Sequence, residues 1–114
     1  MQAFELSQLI SKQEQNNDLY LEFLRVPALS MGLYRLEAGS VDPQQPHTED
    51  EVYYVTGGRG KIRVGTVDRE VAAGSIVFVE AGVEHHFHSI TEDMSILVFF
   101  APAEYTQAGA EGKA

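Results

Sequence analysis

The chain has 114 residues, enough for one domain with an ordinary hydrophobic core and too few for two. Its 44% hydrophobic and 22% charged residues are the mix of a folded globular protein, which excludes wholesale disorder. A net charge of −9 without a basic cluster excludes nucleic acid and anionic membrane as expected partners, and the absence of cysteine excludes disulfides, zinc–thiolate sites and cysteine nucleophiles.

The opening "MQAFELSQLISKQEQ" lacks a basic start followed by an apolar core, and no apolar run reaches the roughly 18 residues of a membrane span, so a cytoplasmic protein is expected. Phe4, Leu6, Leu9 and Ile10 make the apolar side of one short helix, which the polar "SKQEQNND" is expected to end. From Leu19 onward eight short segments have strand character: "LYLEFLRV", "SMGLYRLEA", "EVYYVT", "GKIRVG", "REVAA", "SIVFVE", "HHFHSI" and "MSILVFFA". The connections are too short for helical crossovers, which predicts an all-β antiparallel sandwich or barrel. The expected single domain spans 1–114, with an N-terminal segment at 1–17, a core at about 18–102 and a flexible tail at 106–114. "SIVFV" and "SILVFF" are apolar on both faces, so another layer must cover them; a homodimer is expected.

The stretch "QQPHTEDEVYYVTGG" places a histidine and three acids just before a strand. Glu49 and Asp50 read as a solvated loop. If Glu51 begins the strand, it shares a face with Tyr53 and Val55, where an unpaired carboxylate is costly. Either an arginine (Arg25, Arg35, Arg59, Arg63 or Arg69) neutralises it, or a divalent metal held jointly with histidine does. The second polar cluster, "GSIVFVEAGVEHHFHSI", favours the metal, because a hairpin formed there brings His85 beside His47 and Glu51. Two histidines and one carboxylate are a donor set suited to Fe(II) and its neighbours. His86 and His88 fall on the opposite parity and are expected to face outward. Tyr53 is a pocket candidate, either a core aromatic or a hydrogen-bonding wall, and Phe78 and Phe87 are expected to add apolar lining.

The spacing of the glycines extends both clusters. Gly39 is followed after five residues by Gln45, then by His47, Glu51 and, after six intervening residues, Gly58; Gly74 is followed by Glu80, Gly82, His85 and Ser89. Two such motifs in this order, with fifteen residues between Gly58 and Gly74, resemble those of the cupin family. Three positions depart from the pattern. Gln45 stands where the first motif has a histidine, Glu80 where the second has a proline, and Ser89 where it has an asparagine.

The resemblance implies a jelly-roll barrel. It also implies one divalent transition metal (Fe, Mn, Zn or Ni) held by His47, Glu51 and His85, with the Gln45 amide oxygen in place of an imidazole nitrogen. That neutral oxygen is the poorer donor, so affinity should fall below that of a three-histidine site. Cupins include dioxygenases, isomerases, decarboxylases and non-catalytic binding proteins. The leading expectation is therefore a metal-dependent enzyme acting on a small organic molecule with dioxygenase- or isomerase-like chemistry. The alternative is a binding module for a small metabolite. No general base is evident from sequence.

Overall fold

The structure is a computed structural model that describes residues 1–43 and 46–106. Its elements are α1 (Leu6–Asn16), β1 (Tyr20–Val26), β2 (Leu29–Leu36), β3 (Asp50–Val64), β4 (Val67–Ala72), β5 (Ile76–Val79) and β6 (His85–Ala101). The strands pair antiparallel in the order β1-β2-β6-β3-β4, with β5 on β3, giving the all-β jelly roll.

Six strands replace the expected eight because "EVYYVT" and "GKIRVG" are one strand, as are "HHFHSI" and "MSILVFFA". Each long strand bends without breaking. β3 pairs β6 in two regular stretches, Asp50–Val55 against 96–101 and Lys61–Val64 against 85–88, with register shifts at Gly57 and Arg59 between them. The shifts change which parity points inward: Glu51, Tyr53 and Val55 are buried before the bend, Gly60 and Ile62 after it. On β6 the same exchange runs from His85 and Phe87 to Met94, Ile96, Val98 and Phe100, through Ser89 at φ 51°. Gly58 permits the crossing: it sits at φ 90°, and a Cβ there would lie 2.2 Å from the Asp93 carbonyl oxygen.

The inward side chains of both halves form one core around Tyr53, Phe87, Ile96 and Phe100. Full burial of each such side chain contributes roughly 1.5–3 kcal/mol.

The helix runs past its expected end to Asn16, where Asn17 closes it in the left-handed conformation at φ 56°. The polar stretch stays helical because Gln13 is buried and donates its amide to the carbonyls of Leu33 at 2.8 Å and Leu19 at 3.1 Å. A tertiary anchor overrides the weak local pattern. Among the described residues no helix is long and apolar enough to cross a membrane.

Phe78 departs from expectation. Val77 and Val79 take the inward parity of β5, so Phe78 is 60% exposed on the outer face, outside the lining of the cavity that His47 and Glu51 share. Of the expected flexible tail, 107–114 lies outside the described residues.

Candidate metal centre

Glu51 and His85 reach the barrel interior because each is an inward residue near the start of a long strand. His47 comes from the loop between β2 and β3, which is fastened at both flanks. The buried Asp42 carboxylate accepts the Tyr34 hydroxyl and the Phe87 N–H, the latter at 2.8 Å, and the His47 carbonyl accepts the Gly82 N–H at 2.7 Å. The loop therefore lies against the turn that delivers His85.

One donor atom from each of His47, Glu51 and His85 lies within 4.8 Å of the others. His85 Nε2 is 3.1 Å and His47 Nδ1 3.5 Å from Glu51 Oε1, yet neither contact is aligned as a hydrogen bond. Four buried polar atoms, His47 Nδ1, both Glu51 carboxylate oxygens and His85 Nε2, thus converge without hydrogen-bond partners. Buried polar atoms are ordinarily satisfied, and orphaning four in one place is expensive.

The far side of each ring is occupied. His85 Nδ1 lies 2.9 Å from the Val83 carbonyl, which as a pure acceptor requires the proton on Nδ1 and leaves a lone pair on Nε2. His47 Nε2 faces Glu104 Oε2 at 3.1 Å, which in a neutral ring leaves the lone pair on Nδ1. Two imidazole lone pairs and a carboxylate aimed at one point suit a divalent transition metal, and outer acceptors of this kind orient metal-binding histidines. The donor set fits.

Without a metal the two histidines favour their protonated forms and Glu51 its ionised one. Burial opposes charge on His47, but the Glu104 and Glu51 carboxylates outweigh it and push the imidazole up to about 9. Burial likewise opposes a charged His85, and Glu51 overcomes it to raise that group. Burial would raise Glu51, yet the two histidines hold it below the usual carboxylate range.

Glu104 is the main residue missed by sequence reasoning. It sits on a strap following β6, held by Ala103 N–H on the Pro27 carbonyl, Glu104 N–H on Ser30 Oγ, and Arg25 Nη2 on the Glu104 carbonyl at 2.6 Å. The strap also corrects the reading of Glu49 as solvated. Glu49 is buried, and its carboxylate accepts the Tyr105 N–H at 2.9 Å and the Thr48 hydroxyl at 2.6 Å. Asp50 is exposed as expected and accepts the Ala81 N–H.

Beside the triad lies a cavity of about 530 Å³ whose lining includes Tyr20, Tyr34, His47, Glu51, Phe100 and Tyr105. Tyr53 lies behind it, fully buried, with its ring edge-on to Phe87 at 4.9 Å and 5.9 Å from His85. His86 and His88 turn away from the interior, as parity requires. Gln45 lies outside the described residues.

The sequence model for the cupin domain matches residues 32–100. A relative from Streptomyces coelicolor, an uncharacterised protein, is 50% identical over 104 residues, covering 91% of this chain and 99% of its own. Among solved structures, a Thermus thermophilus protein superposes with a TM-score of 0.76 at 25% identity, covering 90% of this chain and 99% of that one. An RmlC-like cupin from Methanocaldococcus jannaschii with a double-stranded β-helix fold superposes at 0.66 with 15% identity, covering 73% and 78%, a likeness of fold alone. The family model covers more than half of the chain and the fold agrees with it, so the chain belongs to the cupin family.

Proposed function

We propose that this cupin is a metal-dependent enzyme acting on a small organic molecule, with dioxygenase- or isomerase-like chemistry at a mononuclear two-histidine, one-carboxylate site. The observation that carries the reading is the convergence of four buried, unpartnered donor atoms on one point. His47, Glu51 and His85 would hold a divalent ion (Fe, Mn, Zn or Ni). When bound, such an ion supplies Lewis acidity and open positions for oxygen ligands. Glu104 orients the His47 ring and holds its outer proton. The cavity volume of about 530 Å³ suits a small organic ligand. A divalent ion and Glu51 leave one net positive charge, which Glu104 offsets, so a neutral or monoanionic chelating substrate fits best.

A second reading, a binding module that turns nothing over, is favoured by the arrangement of His47. As an imidazolium between Glu51 and Glu104 it forms a self-consistent ionic network without metal. Elemental analysis of the purified protein, followed by oxygen consumption with dicarbonyl and catechol-like compounds, separates the two. Metal at one equivalent per chain with turnover of such a compound supports the enzyme. Wild-type metal content in both His47→Ala and His85→Ala would overturn the site.

The same reading has the protein working in the cytoplasm as a homodimer. Supporting the dimer, Tyr54, Ile76 and Phe78 are 40%, 71% and 60% exposed on neighbouring positions of β3 and β5. Light scattering at micromolar concentration is expected to give twice the 12.6 kDa chain mass, and Phe78→Lys to return it to one.

A further inference from the structure

The ring of Tyr20 packs against the core, but its hydroxyl has no structural employment there. Its hydroxyl is buried and has no hydrogen-bond partner, although it lines the cavity that His47 and Glu51 also line. Yet the fold makes specific room for it. Tyr20 on β1 is paired with Tyr34 on β2, and Glu22 with Gly32. A Cβ at Gly32 would lie 2.1 Å from both the Tyr20 Cζ and its hydroxyl oxygen. The missing side chain at Gly32 is therefore the bed in which the phenol lies, and its ring is steadied edge-on by Tyr34 at 6.3 Å.

Resting on the metal reading above, we infer that Tyr20 is a substrate-binding residue, donating its hydroxyl proton in a hydrogen bond to an oxygen of the molecule held at the His47–Glu51–His85 site. The ligand class is a small molecule with adjacent oxygens, such as a hydroxycarbonyl, dicarbonyl or catechol, in which one oxygen carries or develops negative charge. The groups facing the phenol fix its role as donor. Burial first, and then the Glu104, Glu22 and Glu51 carboxylates, push the group up from its ordinary value, so it stays protonated. None of the three accepts a hydrogen bond from the hydroxyl, which leaves its proton free for an oxygen of an incoming molecule. A hydroxyl buried without a partner costs stability in the empty protein, and a ligand that pairs with it recovers that cost on binding.

The test uses Ni(II)-loaded protein with its metal content measured, and nitrocatechol as a coloured probe. Tyr20→Phe is expected to keep the wild-type metal content, to melt at or above the wild-type temperature, and to bind the probe about 10- to 100-fold more weakly. Gly32→Ala, which displaces the ring instead of deleting its oxygen, should also weaken the probe. Equal probe affinity in wild type and Tyr20→Phe, both holding metal, overturns the inference and leaves the metal site standing. Metal-loaded wild type that ignores the probe also overturns it. Wild-type protein that takes up no Ni(II) overturns the metal reading itself, and this inference with it. A Tyr20→Phe protein that melts below wild type would mark a structural role and count against the assignment.

Discussion

Three residues apart on β6, His85 and His88 each face a carboxylate, Glu51 at 3.1 Å and Asp68 at 2.7 Å, but only the second contact is a hydrogen bond. His88 is satisfied at both nitrogens, by Ser89 Oγ and Asp68, and Asp68 also receives Arg63 at 2.7 Å, all at the partly exposed rim. There the His88 hydrogen bond, helped by Arg63, draws Asp68 below its ordinary value. His85 and Glu51 are buried at the edge of the cavity, and the atoms they turn toward each other have no hydrogen-bond partner. Two histidines of one strand, each beside a carboxylate, thus form a closed surface network in one place and an open buried one in the other. An interior polar cluster left open at its centre is the mark of a site meant to receive something.

Substitutions at the two pairs should break that contrast most visibly. His85→Ala or Glu51→Ala is expected to abolish metal retention after dialysis, while His88→Ala keeps it, as elemental analysis will show. Equal retention in all three would erase the distinction between buried and exposed pairs.

Glu104→Gln tests the outer support of His47 without touching the triad. An expected loss of about 10- to 100-fold in metal affinity, measured by competition with a chelator, matches the usual scale for a carboxylate behind a histidine ligand. Gln45 offers a related comparison: Gln45→His should tighten binding and Gln45→Ala weaken it modestly.

Acidity sharpens the contrast further. In metal-free protein the folded pKa of His47 lies above its unfolded value, so its contribution is complete below about pH 6.5 and is lost as pH climbs through about 9. Glu51 is depressed, so its contribution is present above about pH 4.5 and is lost on acidification. Metal needs the imidazoles neutral, so its stabilisation grows with pH. The Tm of chelator-treated protein should therefore decline from pH 6.5 to 9 while the gap to metal-loaded protein widens. Parallel curves would sink this account. The smallest effect belongs to the rim, where His88→Ala should move Tm by about 2 °C or less.

The inward placement of Glu51 and His85 was legible because strand parity and glycine spacing both point to it, and neither depends on distant contacts. The continuity of β3 and β6 was not, since Gly57, Gly58 and Gly60 read locally as a turn and only the crossing over Asp93 turns them into a bend. The polar stretch holding Gln13 was expected to end the helix, and Glu49 looked solvated, because their partners, the Leu33 carbonyl and the Tyr105 N–H, lie 20 and 56 residues away. Glu104 had no signal at all. It sits in "APAEYT", beyond both motifs, and gains its role only when the strap folds back across Ser30 and Arg25.

That strap makes the two ends of the described chain depend on each other. Every described strand precedes it, and its anchors Arg25 and Ser30 lie 79 and 74 residues upstream, so it docks only where the β1–β2 hairpin has already formed. Until it docks, His47 Nε2 lacks the carboxylate that faces it in the folded chain. A change in the first hairpin, far from His47 in sequence, is therefore expected to reach the His47 imidazole through the strap.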